Sequence, residues 1–565
     1  MKQLFSIAFG LLSISALNAQ TTPAVYPDAP FQNFSPDGKW AVNDAGDNNP
    51  MTIRNFDTDT EYSYYEQYCG GSGNFISNTG VIVGRDIATE AAYYWQNGKW
   101  NKLPVASNIL MSFANGITPD GSRIVGTLSP EYYAGDSEGT MTVPCYWDLK
   151  ADGSYTDPIM LPHPTRDFSD RDPQYITAVR VSADGKTIAG QMRDFFGLVS
   201  QPVIYTQDQN GEWSFTQPLD YLFHPADLTL SPYPGDGPTQ QQFMTPAEIA
   251  AYNNAVRAWE MGSNSDYSDY PDIYDYMTEE EFMEFAQAFT TWEDAYYKFE
   301  NDFWQLLEKI PNFTYNNIFM TSDGKYIAST DAKYFKDEAQ DIDYKVFVPY
   351  LINVEKDTYQ KFPAVNDINI MVSSLCDDGT ILGQWSDDMY GIHNGYILPA
   401  GESEFIELYE FVKGINPATA QWMEENMTHD FIAIDPVTNK EYQATALATG
   451  IPFATPDMSL IGFAQFDFWN MYDYTYTGYL ISLPAYAGIE STEISNNVAI
   501  KSLGNGELLV EGDVKSIDIF SLSGMKVFSR TSPGNKVNTS LHKGIYLVRI
   551  QEAAGGFFTK KLVIN

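Results

Sequence analysis

Residues suited to covalent catalysis are few in this sequence, and their spacing is wrong for the known motifs. Gly70-Gly71-Ser72-Gly73 comes nearest to the Gly-x-Ser-x-Gly nucleophile elbow and fails its spacing. No His-Glu-x-x-His run, phosphate-binding loop or dinucleotide fingerprint is present. The five histidines, each expected to be a loop or structural residue, are His163, His224, His393, His429 and His542. The sequence therefore predicts no catalytic residue, no metal site and no cofactor.

Paired carboxylates leave one catalytic alternative open. The chain has 74 acidic residues, and a glycosidase pair is defined by its separation in space rather than along the sequence. An extracellular glycan-active hydrolase or lyase with such a pair therefore stays an alternative function.

Charge and cysteine content narrow the partners further. With 33 basic residues against the 74 acidic ones, the formal net charge is −41, which opposes binding to nucleic acid or to an anionic membrane. The three cysteines, Cys69, Cys145 and Cys376, cannot form a disulfide framework and show no metal-ligand spacing. We expect them to be buried as small hydrophobic residues.

A recurring turn organises the chain. Seven copies of Ser/Thr-x-Asp-Gly, or a close variant, each lead into a short strand rich in Ile and Val. Asp bonds nearby backbone amides and Gly accepts a positive φ, so each copy predicts a hairpin. A second strand with a large central residue follows most copies. The copies begin at Ser35, Ser77, Thr118, Ser182, Thr321, Cys376 and Thr455.

The spacing of these turns predicts a β-propeller. Gly38, Gly80 and Gly121 lie 42 and 41 residues apart, which is the length of one four-stranded blade. We therefore predict a mainly β chain with a seven-bladed propeller over residues 24–484, with six or eight blades as alternatives. A two-layer sandwich built from the same hairpins is a further alternative, although it has no need of a repeat. Ring closure is expected where the strand near residues 25–34 pairs beside residues 477–483.

The turn and strand unit resembles the WD40-like repeats of TolB-type propellers. The stretch Gly80-Val81-Ile82-Val83-Gly84, followed by Tyr94-Trp95-Gln96-Asn97-Gly98, is similar to the repeats of other extracellular bacterial propellers. The resemblance covers most of residues 31–484. It implies a propeller whose loops converge on a central channel, where lyases, hydrolases and sugar binders of this fold have their sites.

Two helix signals interrupt the fourth unit. Thr245-Pro246-Ala247-Glu248 and Thr278-Glu279-Glu280-Glu281 are capping boxes, and Gly262 and Pro311 are natural stops. In the second helix, apolar residues recur in steps of three and four, and we expect the first helix to fold back on this stripe, with both lying on the propeller. The α-helical hairpin insertion is predicted over residues 243–311. The stripe is Phe282, Phe285, Phe289, Trp292, Tyr296, Phe299, Phe303, Leu306 and Ile310.

The linker between these helices is the predicted partner-binding surface. Tyrosine rings combine apolar area with a polar tip, which suits a sugar or a protein partner. Residues 243–310 carry 15 acidic and three basic side chains, so a neutral or basic partner is expected. The candidate residues are Tyr267, Tyr270, Tyr274 and Tyr276.

Both ends of the chain predict export. Lys2 and the apolar run over residues 4–17 indicate a signal peptide at residues 1–19, and no later run is long enough for a transmembrane helix. Composition changes near residues 485–497, a predicted linker. Beyond it, residues 498–565 contain short alternating segments that predict a small Ig-like β-sandwich.

The last domain resembles the type A sorting domain of type IX secretion cargo. The resemblance rests on Ile517-Asp518-Ile519-Phe520 with Ser523-Gly524, on Lys543-Gly544-Ile545-Tyr546 and on Lys560-Lys561-Leu562-Val563-Ile564. An ordinary Ig-like accessory domain is the alternative. The resemblance implies recognition by the outer-membrane secretion translocon of a Gram-negative cell, with Gly544, Tyr546, Lys560 and Lys561 as sorting-signal residues.

The sequence thus predicts a secreted, cell-surface-delivered propeller that acts as a binding or adhesion module for an extracellular glycan or protein. The glycan-active enzyme is the first alternative. A scaffold subunit of a surface complex, with the long helix exposed for docking, is the second.

Overall fold

The computed structural model describes most of the chain between residues 23 and 564. The predicted signal peptide, residues 1–19, and the predicted linker, residues 485–497, lie outside the described residues. None of the helices within the described ranges is long and apolar enough to span a membrane. The described ranges are 23–27, 31–43, 51–64, 68–71, 73–130, 142–164, 175–193, 199–224, 230–235, 237–261, 270–337, 342–362, 369–387, 392–434, 441–470, 473–483, 499–504, 507–511, 514–521, 526–531, 534, 536–539, 541, 544–552 and 557–564.

The repeated turns share one hydrogen-bond pattern. In the third copy, the Thr118 hydroxyl donates to Asp120 Oδ1 at 2.7 Å, and the same oxygen accepts the backbone N–H of Ser122 at 2.9 Å. Gly121 then has a φ of +77°, a conformation that a Cβ disfavours. The hydroxyl-to-Asp bond recurs at 2.7–2.8 Å in the copies that begin at Ser35, Ser182, Thr321 and Thr455. The predicted turns are confirmed.

Seven four-stranded antiparallel sheets follow one another through the described part of residues 24–482. The first six are β2 (Asn33–Phe34), β3 (Trp40–Val42), β4 (Met51–Asn55), β5 (Thr60–Tyr64); β6 (Tyr68–Gly70), β7 (Ile82–Asp86), β8 (Ala91–Gln96), β9 (Lys99–Lys102); β10 (Ile109–Ile117), β11 (Arg123–Pro130), β12 (Val143–Asp148), β13 (Ile159–Met160); β14 (Tyr175–Val181), β15 (Thr187–Arg193), β16 (Ser200–Gln207), β17 (Trp213–Thr216); β18 (Phe313–Met320), β19 (Tyr326–Asp337), β20 (Ile342–Asn353), β21 (Thr358–Lys361); and β22 (Met371–Leu375), β23 (Ile381–Asp387), β24 (Ile392–Leu398), β25 (Ile406–Glu407).

The seventh sheet closes the ring with both ends of the propeller sequence. It combines β28 (Ile451–Ala454), β29 (Leu460–Asn470) and β30 (Asp473–Ser482) with β1 (Ala24–Pro27), which pairs Val25 with Tyr479. Closure by the N-terminal strand is confirmed, although residues 33–34 belong to the first sheet instead. The first strands of the third to seventh sheets each contact the preceding sheet, and β28 contacts β2. The first and second sheets share a buried cluster that includes Ile53 and Trp95. The sheets therefore form a closed cycle, and the β-propeller is confirmed.

The core lies between neighbouring sheets. The large central residues of the third strands are fully buried there, as at Trp95, Trp147 and Tyr205. Burying both faces of each sheet against its neighbours provides the apolar contact that a lone four-stranded sheet lacks.

An insertion whose helices were not predicted separates the sixth and seventh sheets. Helices α4 (Leu408–Ile415) and α5 (Pro417–Asn426) precede the hairpin β26 (Thr428–Ile434) and β27 (Glu441–Leu447). Leu408, Val412 and Met423 pack in one cluster with Ile397 and Phe463. This insertion therefore accounts for the wide spacing between the last two turns.

A second compact unit lies within residues 220–311. It contains α1 (Asp220–Phe223), α2 (Pro246–Met261) and α3 (Glu279–Lys309), with 3-10 turns at Gln240–Gln242 and Ile273–Tyr276. Both predicted helices and their capping boxes are confirmed: Glu281 Oε2 accepts the Thr278 N–H at 2.8 Å, and Thr278 Oγ1 accepts the Glu281 N–H at 3.3 Å.

The cover of the aromatic stripe on α3 differs from the prediction. The expected cover by the first helix is wrong, because the contacts come mainly from the segments before α2 and between the helices. Tyr233 meets Phe299 edge-on at 5.2 Å, and the Trp292 indole N–H donates to the Gly235 carbonyl at 2.9 Å. Phe282 and Phe289 remain 42% and 37% exposed. The predicted placement of both helices on the propeller stays a prediction.

The C-terminal domain is a two-sheet β-sandwich, as predicted. Leu508 and Val537 from one sheet share a buried cluster with Ile517 and Val548 from the other. The sheets are β31 (Ala499–Gly504), β32 (Glu507–Glu511) and β35 (Lys536–Asn538), and β33 (Val514–Ser521), β34 (Lys526–Thr531), β36 (Gly544–Glu552) and β37 (Phe557–Ile564).

Candidate functional site

A cavity of about 400 Å³ lies where the innermost strands of the sheets converge. Its wall comes from the first strands of the sheets and from the segment before β7. Its rim comes from the second residue of five turns, so the variable position of the repeat faces the cavity. These rim residues are Pro36, Pro119, Ala183, Ser322 and Pro456. The volume falls in the range of about 300–1,000 Å³ that is typical of small-molecule sites.

Polar side chains join the inner strands across six successive sheet boundaries. Each donates a hydrogen bond to a backbone carbonyl of the next sheet, so its own donor is satisfied while the strands are held around the cavity. These inner-ring bonds are Asn33 Nδ2 to Gly73 O (3.2 Å), Asn74 Nδ2 to Ile117 O (3.0 Å), Asn115 Nδ2 to Ala178 O (2.9 Å), Arg180 Nε to Ile318 O (2.9 Å), Asn317 Nδ2 to Val372 O (2.7 Å) and Ser373 Oγ to Pro452 O (2.5 Å).

Glycines allow the backbones to come this close. A Cβ on Gly73 would lie 1.8 Å from the Val179 carbonyl oxygen, and one on Gly71 would lie 2.4 Å from the Asn115 oxygen. The glycine-rich run at residues 70–73 therefore serves close packing beside the cavity.

The cavity surface mixes amides, hydroxyls and aromatic rings. Asn33, Asn317, Ser373 and Gln384 supply polar atoms, and Gln384 Oε1 is buried with no hydrogen-bond partner among the described residues. Apolar contact area comes from Phe34, Phe75, Phe319 and Phe453. Such a surface can bond a neutral, hydroxyl-rich molecule and pack against its C–H groups.

Arg180 is the one charged side chain among the described residues that line the cavity. Its guanidinium lies over the Phe319 ring, 4.6 Å from the centroid, and its Nε bonds the Ile318 carbonyl. Burial lowers the pKa of the guanidinium to about 10, which leaves it charged at neutral pH. Sequence reasoning missed this residue.

A signal for Arg180 does exist in the repeat. The residue two positions before the first turn residue occupies the same inner-strand position in every copy. Only the fourth copy has a charged residue there. The seven residues are Asn33, Phe75, Gly116, Arg180, Phe319, Ser374 and Phe453.

The described lining of the cavity does not contain the carboxylate pair of the enzyme alternative, because no Asp or Glu is among those residues. Asp331, whose pKa burial raises, lies on β19 and accepts the Asn312 N–H at 2.8 Å. It is not a lining residue of the cavity.

The predicted partner-binding tyrosines belong to the helical unit. Tyr267 lies outside the described residues. Tyr270 and Tyr274 are 42% and 43% exposed, whereas Tyr276 is half-buried and edge-on to Tyr252. The structure thus leaves two of the three described rings open to solvent, and their role stays a prediction.

The predicted sorting-signal residues lie together on the last two strands. Gly544 pairs with Ile564 and Tyr546 with Leu562 across β36 and β37. Lys560 and Lys561 oppose Val548 and Leu547 in the same ladder. The fold therefore brings the quoted motifs side by side, and their individual roles stay predictions.

The structure describes the surroundings of the three cysteines and of His429. Cys145 and Cys376 are buried, which raises the pKa of both thiols, whereas Cys69 is only half-buried and its sulfur accepts from Arg85 Nε at 3.2 Å. The prediction that all three are buried is thus wrong for Cys69. In the described part of the chain, no group of three or more His, Cys, Asp or Glu side chains is placed to hold a metal ion. His429 Nε2 and the Tyr479 hydroxyl lie 3.2 Å apart.

Solved structures with a comparable arrangement were found at low similarity. The hydrazine synthase of Kuenenia stuttgartiensis is 12% identical, over 82% of this chain and 98% of that chain, with a TM-score of 0.37. Polysaccharide lyase Uly1 is 10% identical, over 79% and 88%, with a TM-score of 0.35. The Cps50 (Swd1) β-propeller domain of Myceliophteria thermophila is 10% identical, over 96% and 98%, with a TM-score of 0.27. At these scores the assignment of the fold rests on the sheets themselves.

No curated protein matches this sequence. Residues 494–565, in contrast, match the family model of the secretion system C-terminal sorting domain. The match covers the C-terminal β-sandwich, where the sequence resemblance was found. The chain is therefore a type IX secretion cargo that carries a C-terminal sorting domain, and it is exported across the outer membrane to the cell surface or the extracellular space.

Proposed function

We propose that this protein is a surface-delivered binding protein whose propeller takes up a small, carbohydrate-like molecule in the central cavity. The observation that carries the proposal is the surface of that cavity, where amides and hydroxyls alternate with phenylalanine rings. Asn317 and Ser373 hold their positions through bonds to neighbouring sheets, so the wall is organised before any ligand arrives.

Binding is favoured over glycoside hydrolysis by the same surface. Hydrolysis generally needs two carboxyl groups about 5–10 Å apart at the scissile bond. The described lining instead offers neutral acceptors and donors with one guanidinium. These groups can orient a sugar, yet none of them is a general acid with the pKa of a carboxyl group.

The test is to fill the cavity and follow sugar binding by the full exported chain. Ile451 lines the cavity and is half-buried, so Ile451→Trp should occupy the ligand volume. Ile406, 43% exposed on the outer strand β25, provides the matched control Ile406→Trp. A panel of neutral and acidic monosaccharides and short oligosaccharides is screened by calorimetry and thermal shift.

We expect the wild type and Ile406→Trp to bind the same sugars and Ile451→Trp to bind none. Met371→Trp is a second cavity-filling variant in case Ile451→Trp does not fold. Equal binding by the cavity-filled and control proteins would refute the proposed site. Cleavage of a bound oligosaccharide by the wild type would establish the enzyme alternative instead.

A second candidate function is a protein contact made by the helical unit. Met283, Tyr297 and Trp304 on α3 are 61%, 58% and 54% exposed, and Tyr270 and Tyr274 add further aromatic area. This exposure supports the scaffold alternative, which requires an open helix face. Loss of cross-linked complexes at the cell surface in Tyr297→Ser/Trp304→Ser, with cavity binding intact, would support it; unchanged complexes would contradict it.

A further inference from the structure

We infer that the ligand of the central cavity carries one anionic group, a carboxylate or sulfate on a sugar, and that Arg180 binds it. This inference rests on the proposed function of the cavity and specifies its ligand. Three independent features of the site lead to it.

The first feature is an unneutralised cation. No Asp or Glu among the described residues pairs with Arg180; its only hydrogen-bond partner there is the Ile318 carbonyl, which Nε reaches at 2.9 Å. Neither Nη group has a hydrogen-bond partner among the described residues. The side chain is partly buried, and a partly desolvated charge is stabilised when an opposite charge approaches it, so this site favours an incoming anion.

The second feature is the fixed orientation of the guanidinium. The Phe319 ring, 4.6 Å from Arg180 Cζ, supports one face of the planar group, and the Nε bond sets its rotation. The two Nη groups are then the donors left for a ligand. Two parallel N–H donors match the two oxygens of a carboxylate or sulfate in a bidentate pair.

The third feature is the contrast between the cavity and the rest of the protein. The chain carries a net charge of −41, yet the described cavity lining has a charge of +1 from Arg180. Long-range repulsion of an anion is screened over about 8 Å at physiological ionic strength. Inside the cavity, the attraction of an anion to the nearby guanidinium therefore outweighs its repulsion by the net charge of the chain.

The experiment compares D-glucuronate, D-glucose 6-sulfate and D-glucose with the full exported chain at constant ionic strength. Arg180→Met keeps most of the length of the side chain but removes its charge. Arg180→Lys keeps the charge but removes the two parallel Nη donors. Arg85 provides the control Arg85→Met: its Nε also bonds a neutral acceptor and its guanidinium also faces a ring, that of Phe113 at 5.0 Å, but it does not line the cavity.

We expect at least one anionic sugar to bind the wild type and Arg85→Met more tightly than glucose, by about tenfold or more. Arg180→Met should lose this preference and keep the weak response to glucose, while Arg180→Lys should be intermediate. Without ligand, Arg180→Met loses the Nε bond to the Ile318 carbonyl and the stacking on Phe319 but also removes an unpaired, partly buried charge, so we expect only a small change in melting temperature.

The opposite results separate this inference from the proposed function. Equal affinity of the wild type for glucose and for both anionic sugars would overturn the inference and leave the sugar site standing. A preference for anionic sugars that persists in Arg180→Met would overturn it as well. Sodium sulfate or acetate giving the same thermal shift as the sugars would show that a simple oxyanion suffices. Failure of every sugar to bind would remove both claims.

Discussion

Replacing Gly73 by alanine tests how the inner strands pack around the cavity. The added Cβ would lie 1.8 Å from the Val179 carbonyl oxygen and 2.8 Å from that of Asn115, and both are backbone atoms that cannot rotate away. Ordinary contact begins near 3.4 Å, so the backbones must separate by about 1.6 Å. Gly73 lies against Asn115 of the third sheet and Val179 of the fourth, so the shift would move it away from both sheets.

The cost follows from the bonds and contacts that this movement breaks. Two hydrogen bonds would break, and each loss would cost about 1 kcal/mol of stability. They are the Gly73 N–H bond to Asn115 O, at 2.8 Å, and the Asn33 Nδ2 bond to Gly73 O, at 3.2 Å. Overpacking adds about 1–3 kcal/mol. The sum is a loss of about 3–5 kcal/mol in the free energy of unfolding. For roughly 400 residues that unfold together, this lowers Tm by about 4–6 °C.

Thermal unfolding of the full exported chain, followed by circular dichroism, measures this change. The matched control is Gly414→Ala in α4, where a new Cβ has no neighbour within 4 Å and the backbone does not have a positive φ. That control should be neutral or stabilising by up to about 1 kcal/mol. A Gly73→Ala protein that melts with the wild type would refute the packing argument.

Four further predictions concern charge, capping and export. Burial alone would raise the pKa of Asp323, but hydrogen bonds from Lys325 and Thr321 lower it overall. Its stabilising contribution is therefore present above the ordinary pKa of about 3.9 and lost as the pH falls through the lowered value, so Asp323→Asn should reduce Tm at pH 7 and have less effect in acid. Asp331 shows the reverse: burial raises its pKa, so Asp331→Asn should raise Tm at pH 7, and this gain should shrink as the pH falls through the raised value. Thr278→Ala should cost the helical unit about 1 kcal/mol, measured by denaturant unfolding, whereas Thr290→Ala, which removes a hydroxyl bonded within the same helix, should cost less. Deleting residues 494–565 should leave the chain in the periplasm, as cell fractionation would show; surface delivery without them would contradict the sorting assignment.

Local features of this chain could be predicted from sequence because they depend on residues within about five positions of one another. The Thr118 to Asp120 bond and the positive φ of Gly121 are complete within one turn, and the Thr278 capping box within one helical turn. Seven such turns were enough to indicate a propeller and its closing strand.

The predicted cover of the α3 stripe was wrong because the residues that cover it are distant in the sequence. Periodicity shows which face of α3 is apolar, but Tyr233 and Gly235 lie more than 55 residues from their partners on that helix. The helices α4 and α5 were missed because helix signals were identified only in the fourth unit. A local signal for α5 does exist, since the Asn416 side chain accepts the Thr419 N–H and Pro417 follows at the first helical position.

The sequence by itself determined the repeated turns, the two capped helices and the sorting domain at the end of the chain. Only the tertiary structure decided that Gly73 is a packing residue and that Arg180 lies in a central cavity, 138 residues from the strand residue that accepts its hydrogen bond. Closing the sheets into a cycle brings their first strands to one axis, where the surroundings of each side chain come from other sheets. The chemical character of the cavity therefore depends on the closed cycle of sheets and not on any single repeat.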